Sequence, residues 1–277
     1  MTDRRVVIAQ ISDLHIKRRG ALAYGRVDTA AALARCIDQL NRLSPRPDLM
    51  VISGDLVDTP TAAEYAHLTK LLAPLQIPFA AIPGNHDDRA LMRAALPEQQ
   101  TASPGGALNQ VRAIGPLDIV LLDSSVPGHA HGELAADTLA WLDTVLAAAP
   151  ARPALLFLHH PPFVTGIAHM DVQNLRNADA LAAVLQRHDR VRLIAAGHVH
   201  RATLSLFAGI AATICPAPNH AVALDLEAHL PPSFNIEPPA FHLHVWLPGE
   251  DRLVTHVVPI GQFDGPHPFF DPDGAQL

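Results

Sequence analysis

Short apolar runs alternate with helical-period stretches over roughly the first 200 residues, and that alternation predicts an α/β layered fold. The runs Arg5–Gln10, Leu49–Ser53, Phe79–Ile82, Asp118–Asp123, Ala154–His159 and Arg192–Ala196 read as strands. Within Thr29–Leu43, Ala32, Leu33, Cys36, Ile37 and Leu40 repeat at the spacing of one helix face. Glu64–Leu72, Ala136–Ala148 and Ala178–Gln186 read as further helices. From Ala202 onward the pattern turns to strands, at Ala202–Phe207, Ala211–Ile214, Ala221–Leu226, His242–Leu247 and Leu253–Val258. The proline pairs Pro231-Pro232 and Pro238-Pro239 mark a loop, because neither a helix nor a central strand tolerates them. A tail rich in Gly, Pro and Asp follows Pro259 and is expected to wrap over the surface. Two contacting sheets flanked by helices are expected, with residues 1–230 as the core and 231–277 as C-terminal strands and tail packed on it.

Composition narrows the class. The chain has 277 residues, 49% of them apolar, enough for one substantial core. Charged residues make up 17% and the net charge is −7, so no general basic field draws nucleic-acid polymers or anionic membranes. An anionic substrate must instead be drawn in locally, by cations. Gln10, Ser12 and Asp13 interrupt the first apolar run before a signal-peptide core can form, and no stretch approaches the ~20 apolar residues of a membrane span. Cys36 and Cys215 have no zinc-ribbon spacing, which fits a reduced, cytoplasmic setting. The unusual count is 17 histidines.

Polar groups able to bind metal close almost every strand of the first half. The first strand leads to Asp13 and His15 in QISDLH, the second to Asp55 in SGDLVD, and the third to Asn85 and His86 in PGNHDD. Later runs give His159 in LFLHHPP, and His198 and His200 in AAGHVH. Strands in open sheets deliver their C-terminal ends to a common edge, so these groups are expected to converge. Four histidines, two aspartates and one asparagine form a nitrogen and oxygen set suited to Zn, Mn, Fe or Co. Seven ligands exceed the needs of one tetrahedral ion but suit two ions bridged by one carboxylate, with Asp55 the natural bridge. Two clamped ions point to hydrolysis of a phosphate ester.

The motifs D-x-H, G-D-x-x-D, G-N-H-D, H-H and G-H-x-H, in this order, resemble those of the calcineurin-like metallophosphoesterases. Within that family the chain is most similar to the bacterial class III phosphodiesterases, which include cyclic-nucleotide phosphodiesterases and the glycerophosphodiesterase of enteric bacteria. RRGALAYGRVD, GNHDDRAL and HHPPFVTGIAHMD lie closest to the latter, and the likeness spans roughly residues 6–226. The resemblance implies a four-layer α/β/β/α sandwich of two mixed sheets. It implies one ion held by Asp13, His15, Asp55 and His200, and a second held by Asp55, Asn85, His159 and His198. It further implies that Asn85 and His86 contact the phosphate, that His86 assists the leaving oxygen with Asp58 orienting it, and that His220 in CPAPNH touches the phosphate. The reaction implied is in-line attack of a metal-bound hydroxide on a small phosphodiester, glycerophosphodiesters first and 3′,5′-cyclic AMP second. Family members of this class are often oligomers, and the 231–240 segment is the expected contact between copies.

Blander readings remain for single residues. Asp58 is also placed to cap the helix starting near Thr61. Asp88 and Arg89 read as a surface pair, His160 as a support or substrate contact, and Tyr24 and Met170 as pocket lining or loop packing. Cys36 reads as a buried thiol on its helix face. His242 and His244, among others, read as satisfied or solvated side chains.

Overall fold

The protein, seen in a computed structural model, is described over residues 4–99, 104–271 and 276. In chain order the elements are β1 (Val6–Ile11), α1 (Thr29–Arg42), β2 (Leu49–Ser53), α2 (Ala62–Leu72), β3 (Phe79–Ile82) and α3 (Arg89–Ala95). Then come β4 (Gln110–Ile114), β5 (Leu117–Leu122), α4 (Ala136–Ala148), β6 (Ala154–Leu158), α5 (Ala168–Asp171), α6 (Ala178–Leu185) and β7 (Val191–Ala196). The last third is strands: β8 (Thr203–Phe207), β9 (Ile210–Ile214), β10 (Ala221–Val222), β11 (Phe234–Asn235), β12 (Ala240–Leu247) and β13 (Arg252–Pro259).

Two large mixed sheets carry the fold. One runs β13-β12-β1-β2-β3, with β1, β2 and β3 parallel and β12 and β13 antiparallel. The other runs β4-β5-β6-β7-β9-β8, with a parallel centre and antiparallel edges β4 and β8. Strand alternation decides what fills each layer. On β1, Val6 and Ile8 face the other sheet, while Ala9 and Ile11 pack outward with Leu33, Ile37 and Leu40 of α1 and Tyr65 and Leu68 of α2. On β7, Leu193 and Ala195 face inward, while Ile194 and Ala196 join Leu142 and Leu146 of α4 and Leu181 of α6. The result is the expected four-layer α/β/β/α sandwich.

Departures from the expected elements have local causes. The strand expected over Ala221–Leu226 ends at Val222, because the Asp225 carboxylate accepts from Glu227 N (3.3 Å) and Leu230 N (2.7 Å) and turns the chain into a loop. β12 begins at Ala240, immediately after Pro239, two residues before the apolar rhythm suggests. Asp88 and Arg89 do not pair: Asp88 caps α3 by accepting from Leu91 N (2.8 Å), and Arg89 reaches the buried Asp123 (Nε to Oδ2, 2.6 Å). The N-cap of α2 is Thr61, not Asp58.

One buried ion pair anchors the end of the second sheet away from the strand C-termini. Asp118 bonds Arg152 Nε (2.8 Å) and the Arg190 guanidinium, whose side chain is 2% exposed. Asp118→Ala leaves that guanidinium buried without its carboxylate, so it is expected to cost about 3–5 kcal/mol in chemical denaturation. Metal content of the surviving folded protein is expected to be unchanged, because the pair lies away from the residues described next.

Candidate metal centre

The strand ends converge. Backbone bonds continue the parallel pairing past the strands: Asp13 N donates to Gly54 O, His15 N to Asp55 O, and Gly197 N to His159 O. Each peptide then turns sharply. Among the described residues nine non-glycines have positive φ, and five of them are candidate ligands: Asp13 (59°), His15 (47°), Asp55 (51°), His198 (73°) and His200 (57°). Backbone of this kind costs ~1–3 kcal/mol per residue and collects where a side chain must be aimed. Two glycines make the close packing possible. A Cβ on Gly54, whose φ is +102°, would stand 2.3 Å from His159 Nδ1. One on Gly84 would stand 2.2 Å from Asp55 Oδ1.

Two acceptor-rich groups share one carboxylate. On one side Asp13 Oδ1 lies 3.4 Å from His200 Nε2, which lies 3.2 Å from His15 Nε2, itself 3.6 Å from Asp55 Oδ2. On the other, Asp55 Oδ2 lies 3.4 Å from His159 Nε2, which lies 3.1 Å from Asn85 Oδ1. His198 stacks edge-on to His159 at 5.1 Å, with its Nε2 buried and unpartnered. Asp13, His15, Asp55, His159, His198 and His200 are all buried, while Asn85 and His86 are partly exposed.

Main-chain groups fix the ring tautomers. A carbonyl can only accept, so His159 Nδ1 donates to Ser53 O (2.9 Å) and His200 Nδ1 donates to His220 O (3.2 Å). Both rings therefore present Nε2 to the shared space. Burial holds His198 and His200 well below the ordinary histidine range, as neutral imidazoles of the kind that ligate metals. For His159, burial pulls the same way, but Asp55 and then Asp13 outweigh it and raise its pKa to about 9. Burial lifts Asp13 to about 6. His159 and Asp13 thus hold protons above their ordinary ranges, the first because carboxylates face it and the second because it is buried, and a divalent cation would answer the same demand. The donor set fits a metal on both sides of Asp55.

The carboxylates are steadied by N–H groups: Asp13 accepts from His198 N (3.0 Å), and Asp55 Oδ1 accepts from His86 N (2.9 Å). Asp87, which the sequence did not single out, accepts from Gly84 N (2.9 Å), Leu56 N (3.0 Å) and Tyr65 Oη (2.8 Å), tying the loop after β3 to that after β2. Asn219 is also new, donating to Asp13 O (2.9 Å) and Leu14 O (3.1 Å). Each stood beside a motif residue, which was the only available signal.

Asp58 sits differently from the expectation. Its carboxylate takes Lys17 Nζ (2.7 Å) and stands 3.3 Å from His15 Nδ1, while His86 Nδ1 donates to the Asp58 main-chain oxygen (2.8 Å). The backbone of Asp58, not its carboxylate, thus holds His86. Burial would raise the Asp58 pKa, but bonds from His15 and Lys17 outweigh it and hold the group well below the carboxylate range. His220 packs on His200 (4.5 Å between centroids), with Tyr24 and Phe234 against it at 5.3 and 5.2 Å. A pocket of about 370 Å³ opens over His15, Asp55, Asn85, His86, His198 and His200.

A sandwich whose strand ends gather carboxylates and imidazoles at an open pocket defines a hydrolase of the metallophosphoesterase class. Residues 6–202 match the calcineurin-like phosphoesterase family model. The chain is 40% identical to a protein of Arcobacter nitrofigilis named as a probable glycerophosphodiester phosphodiesterase, over 98% of this chain and 100% of the relative. It is 35% identical to a cAMP/cGMP dual specificity phosphodiesterase of Mycobacterium tuberculosis, over 98% of this chain and 84% of the relative. A dimetal phosphatase of Danio rerio superposes with a TM-score of 0.70 at 17% identity, covering 93% of this chain and 97% of the other. The chain belongs to the calcineurin-like phosphoesterase family.

Because Gly54 has neither room nor backbone freedom for a side chain, Gly54→Ala is expected to displace His159. Equilibrium dialysis against Mn²⁺ should show metal uptake reduced by ~10-fold or more, with far-UV circular dichroism retained.

Proposed function

We propose that this protein is a metal-dependent phosphodiesterase of broad specificity for small diesters, with glycerophosphodiesters the first class of substrate. The observation that carries this is Asp55 Oδ2, which stands 3.6 Å from His15 and 3.4 Å from His159 beneath an open pocket, joining two ligand groups. In this reading Asp13, His15, Asp55 and His200 hold one divalent ion, and Asp55, Asn85, His159 and His198 hold the other. Mn, Fe, Zn and Co all suit the donors. Bound there, two ions supply Lewis acidity toward the phosphoryl oxygens and make water a competent nucleophile at neutral pH.

The chain's own groups supply the rest. His86 lines the pocket with Nδ1 donating to Asp58 O, so as an imidazolium it would present Nε2–H to the departing alkoxide and be left neutral after the transfer. Burial, then His200 and His15, push His220 down to about 2, so it meets the phosphate as a neutral ring. Asn85 offers its amide to the same oxygens from beside His159. The rest of the lining reads Tyr24, Met170, Val222, Pro232 and Phe234, with His169, Gln173 and Ser233 as its polar members. No Lys, Arg or Glu lines the pocket among the described residues, so it grips the phosphoryl group and asks little of its substituents. That supports breadth.

A second reading, hydrolysis of 3′,5′-cyclic AMP, draws on the Tyr24–Phe234 ring pair, 5.0 Å between centroids, which offers a face for a nucleobase. The relative named for cyclic nucleotides supports it as well. Among the described residues no helix is long and apolar enough to cross a membrane. Two buried free thiols, Cys36 and Cys215, suit the reducing cytoplasm we propose as its location. We also take the protein to be a homo-oligomer that uses the 231–240 segment, where Ile236 is 67% exposed.

Dialysis against chelator is expected to abolish turnover of an aryl phosphodiester, and Mn²⁺ to restore it; turnover indifferent to both would sink the enzyme reading. Asn85→Ala should lower kcat/KM by ~100-fold or more, beyond what losing a group that merely orients a ligand costs.

A panel of glycerophosphodiesters, cyclic AMP, linear dinucleotides and a phosphomonoester should give comparable kcat/KM across the diesters. A single diester preferred by orders of magnitude would contradict the open-pocket argument.

A further inference from the structure

Within the largely apolar layer between the two sheets, a row of polar side chains lies directly beneath the metal centre. Gln10 on β1 and Ser53 on β2 face this layer by strand alternation, as does His244 on β12; each is at most 0% exposed. Gln10 Nε2 donates to Ser53 Oγ (2.9 Å) and, across the sandwich, to Ala196 O on β7 (3.0 Å). Gln10 Oε1 meets His244 Nε2 (3.1 Å), and His244 Nδ1 meets Thr255 Oγ1 on β13 (2.9 Å).

One carbonyl fixes the direction of every bond in this row. Ala196 O can only accept, so the amide nitrogen of Gln10 must face it and Oε1 must accept from His244. Burial keeps the His244 ring neutral, so with Nε2 donating, Nδ1 carries the lone pair and Thr255 donates to it. The row has a single arrangement in which every group is satisfied.

What it holds is specific. Asp13 lies three residues beyond Gln10, Asp55 two beyond Ser53, and His198 two beyond Ala196. Ser53 O is also the acceptor that sets the His159 tautomer. One amide therefore ties together three strands from two sheets at the last point before each delivers a candidate ligand. An apolar residue here would leave His244 Nε2 and Ser53 Oγ buried without their partner, so stability and ligand geometry both weigh on this position and have to be read separately.

We propose that Gln10, held by His244 and Thr255, is the positioning residue of the metal centre, setting the separation of the ligands that the two sheets contribute. This rests on the two-ion reading above. It also gives the C-terminal strands a part in the site: His244 and Thr255 lie beyond the family-matched region, which ends at residue 202.

The test is Co²⁺ affinity by titration calorimetry, with melting temperature, kcat and KM at saturating metal, for the wild type, Gln10→Met, His244→Phe, the double variant and Thr255→Val. Gln10→Met is expected to weaken Co²⁺ binding ~10–100-fold, His244→Phe less, and the double variant no more than Gln10→Met alone, because His244 acts through Gln10. Thr255→Val, on an edge strand, should weaken binding about threefold with its melting temperature near that of the wild type. It decides the matter if a core variant fails to fold. Lower melting temperatures with wild-type Co²⁺ affinity overturn the proposal, since a merely structural bridge would give that result. Absence of Co²⁺ uptake by the wild type would remove the two-ion reading and the positioning role together, whereas uptake that none of the variants weakens removes the positioning role alone.

Discussion

The constraint behind this structure is the crowding of buried carboxylates and imidazoles. Asp13, Asp55, His15, His159 and His200 bring carboxylate oxygens and imidazole nitrogens within 3.2–3.6 Å of one another at the floor of the pocket. Left to themselves such groups would part, because burying carboxylates without compensating charge is costly. The backbone holds them in place. Parallel pairing runs past the strand ends into the ligand peptides, N–H groups of His86 and His198 face the carboxylates, and carbonyls of Ser53 and His220 take the outward ring protons. Asp13, Asp55, His159 and His200 are thus gripped from behind by main-chain groups.

That grip explains the backbone strain. Five left-handed non-glycine residues at ~1–3 kcal/mol each would be a heavy load for a marginally stable domain if they lay on independent loops. Here each follows a largely buried strand at the parallel centre of a mixed sheet, covered by helices on one side and by the other sheet on the other. Packing within three apolar layers offsets the strain, and strand pairing prevents it from relaxing by local rearrangement. Dense packing also explains Gly54 and Gly84, since ligand atoms occupy the places where side chains would go.

Much of this was legible in the chain because periodicity and ligand chemistry are local. β2, β3 and α4 fall on the residues their apolar rhythm gave, and the convergence of Asp13, His15, Asp55, Asn85, His159, His198 and His200 followed from their positions after strands. β4 was missed because QVRAI alternates weakly and becomes a strand by pairing antiparallel with β5. α3 was missed because seven residues beginning at Arg89 give little helical rhythm, although Asp88 supplies a cap. Asp58 was misjudged because its neighbours depend on how the loop after β2 lies against Lys17, a separation of 41 residues. Gln10 and His244 carried no sequence signal at all: their partners stand 186 and 234 residues away in another strand or sheet. Long-range polar pairing obeys no period, so an isolated glutamine in an apolar strand reads only as an interruption.

The same division of labour bears on specificity. In the proposed reading, the groups that would meet the phosphoryl sit on strand ends, whereas the outer lining of the pocket sits on loops: Tyr24 after β1, Met170 and Gln173 around α5, and Pro232 and Phe234 at β11. Loops change length and side chain at little cost to a core, whereas strand ends in a four-layer sandwich do not. A family built this way can keep one metal centre while its substrates drift, which fits relatives named for glycerophosphodiesters and for cyclic nucleotides at similar identity to this chain. For this chain, the loops present an aromatic and aliphatic wall with His169, Gln173 and Ser233 as hydrogen-bonding side chains, a surface that can take a flat ring or a small polyol. Selectivity between diesters must then arise from shape and stacking, terms worth a few kcal/mol at most, rather than from charge.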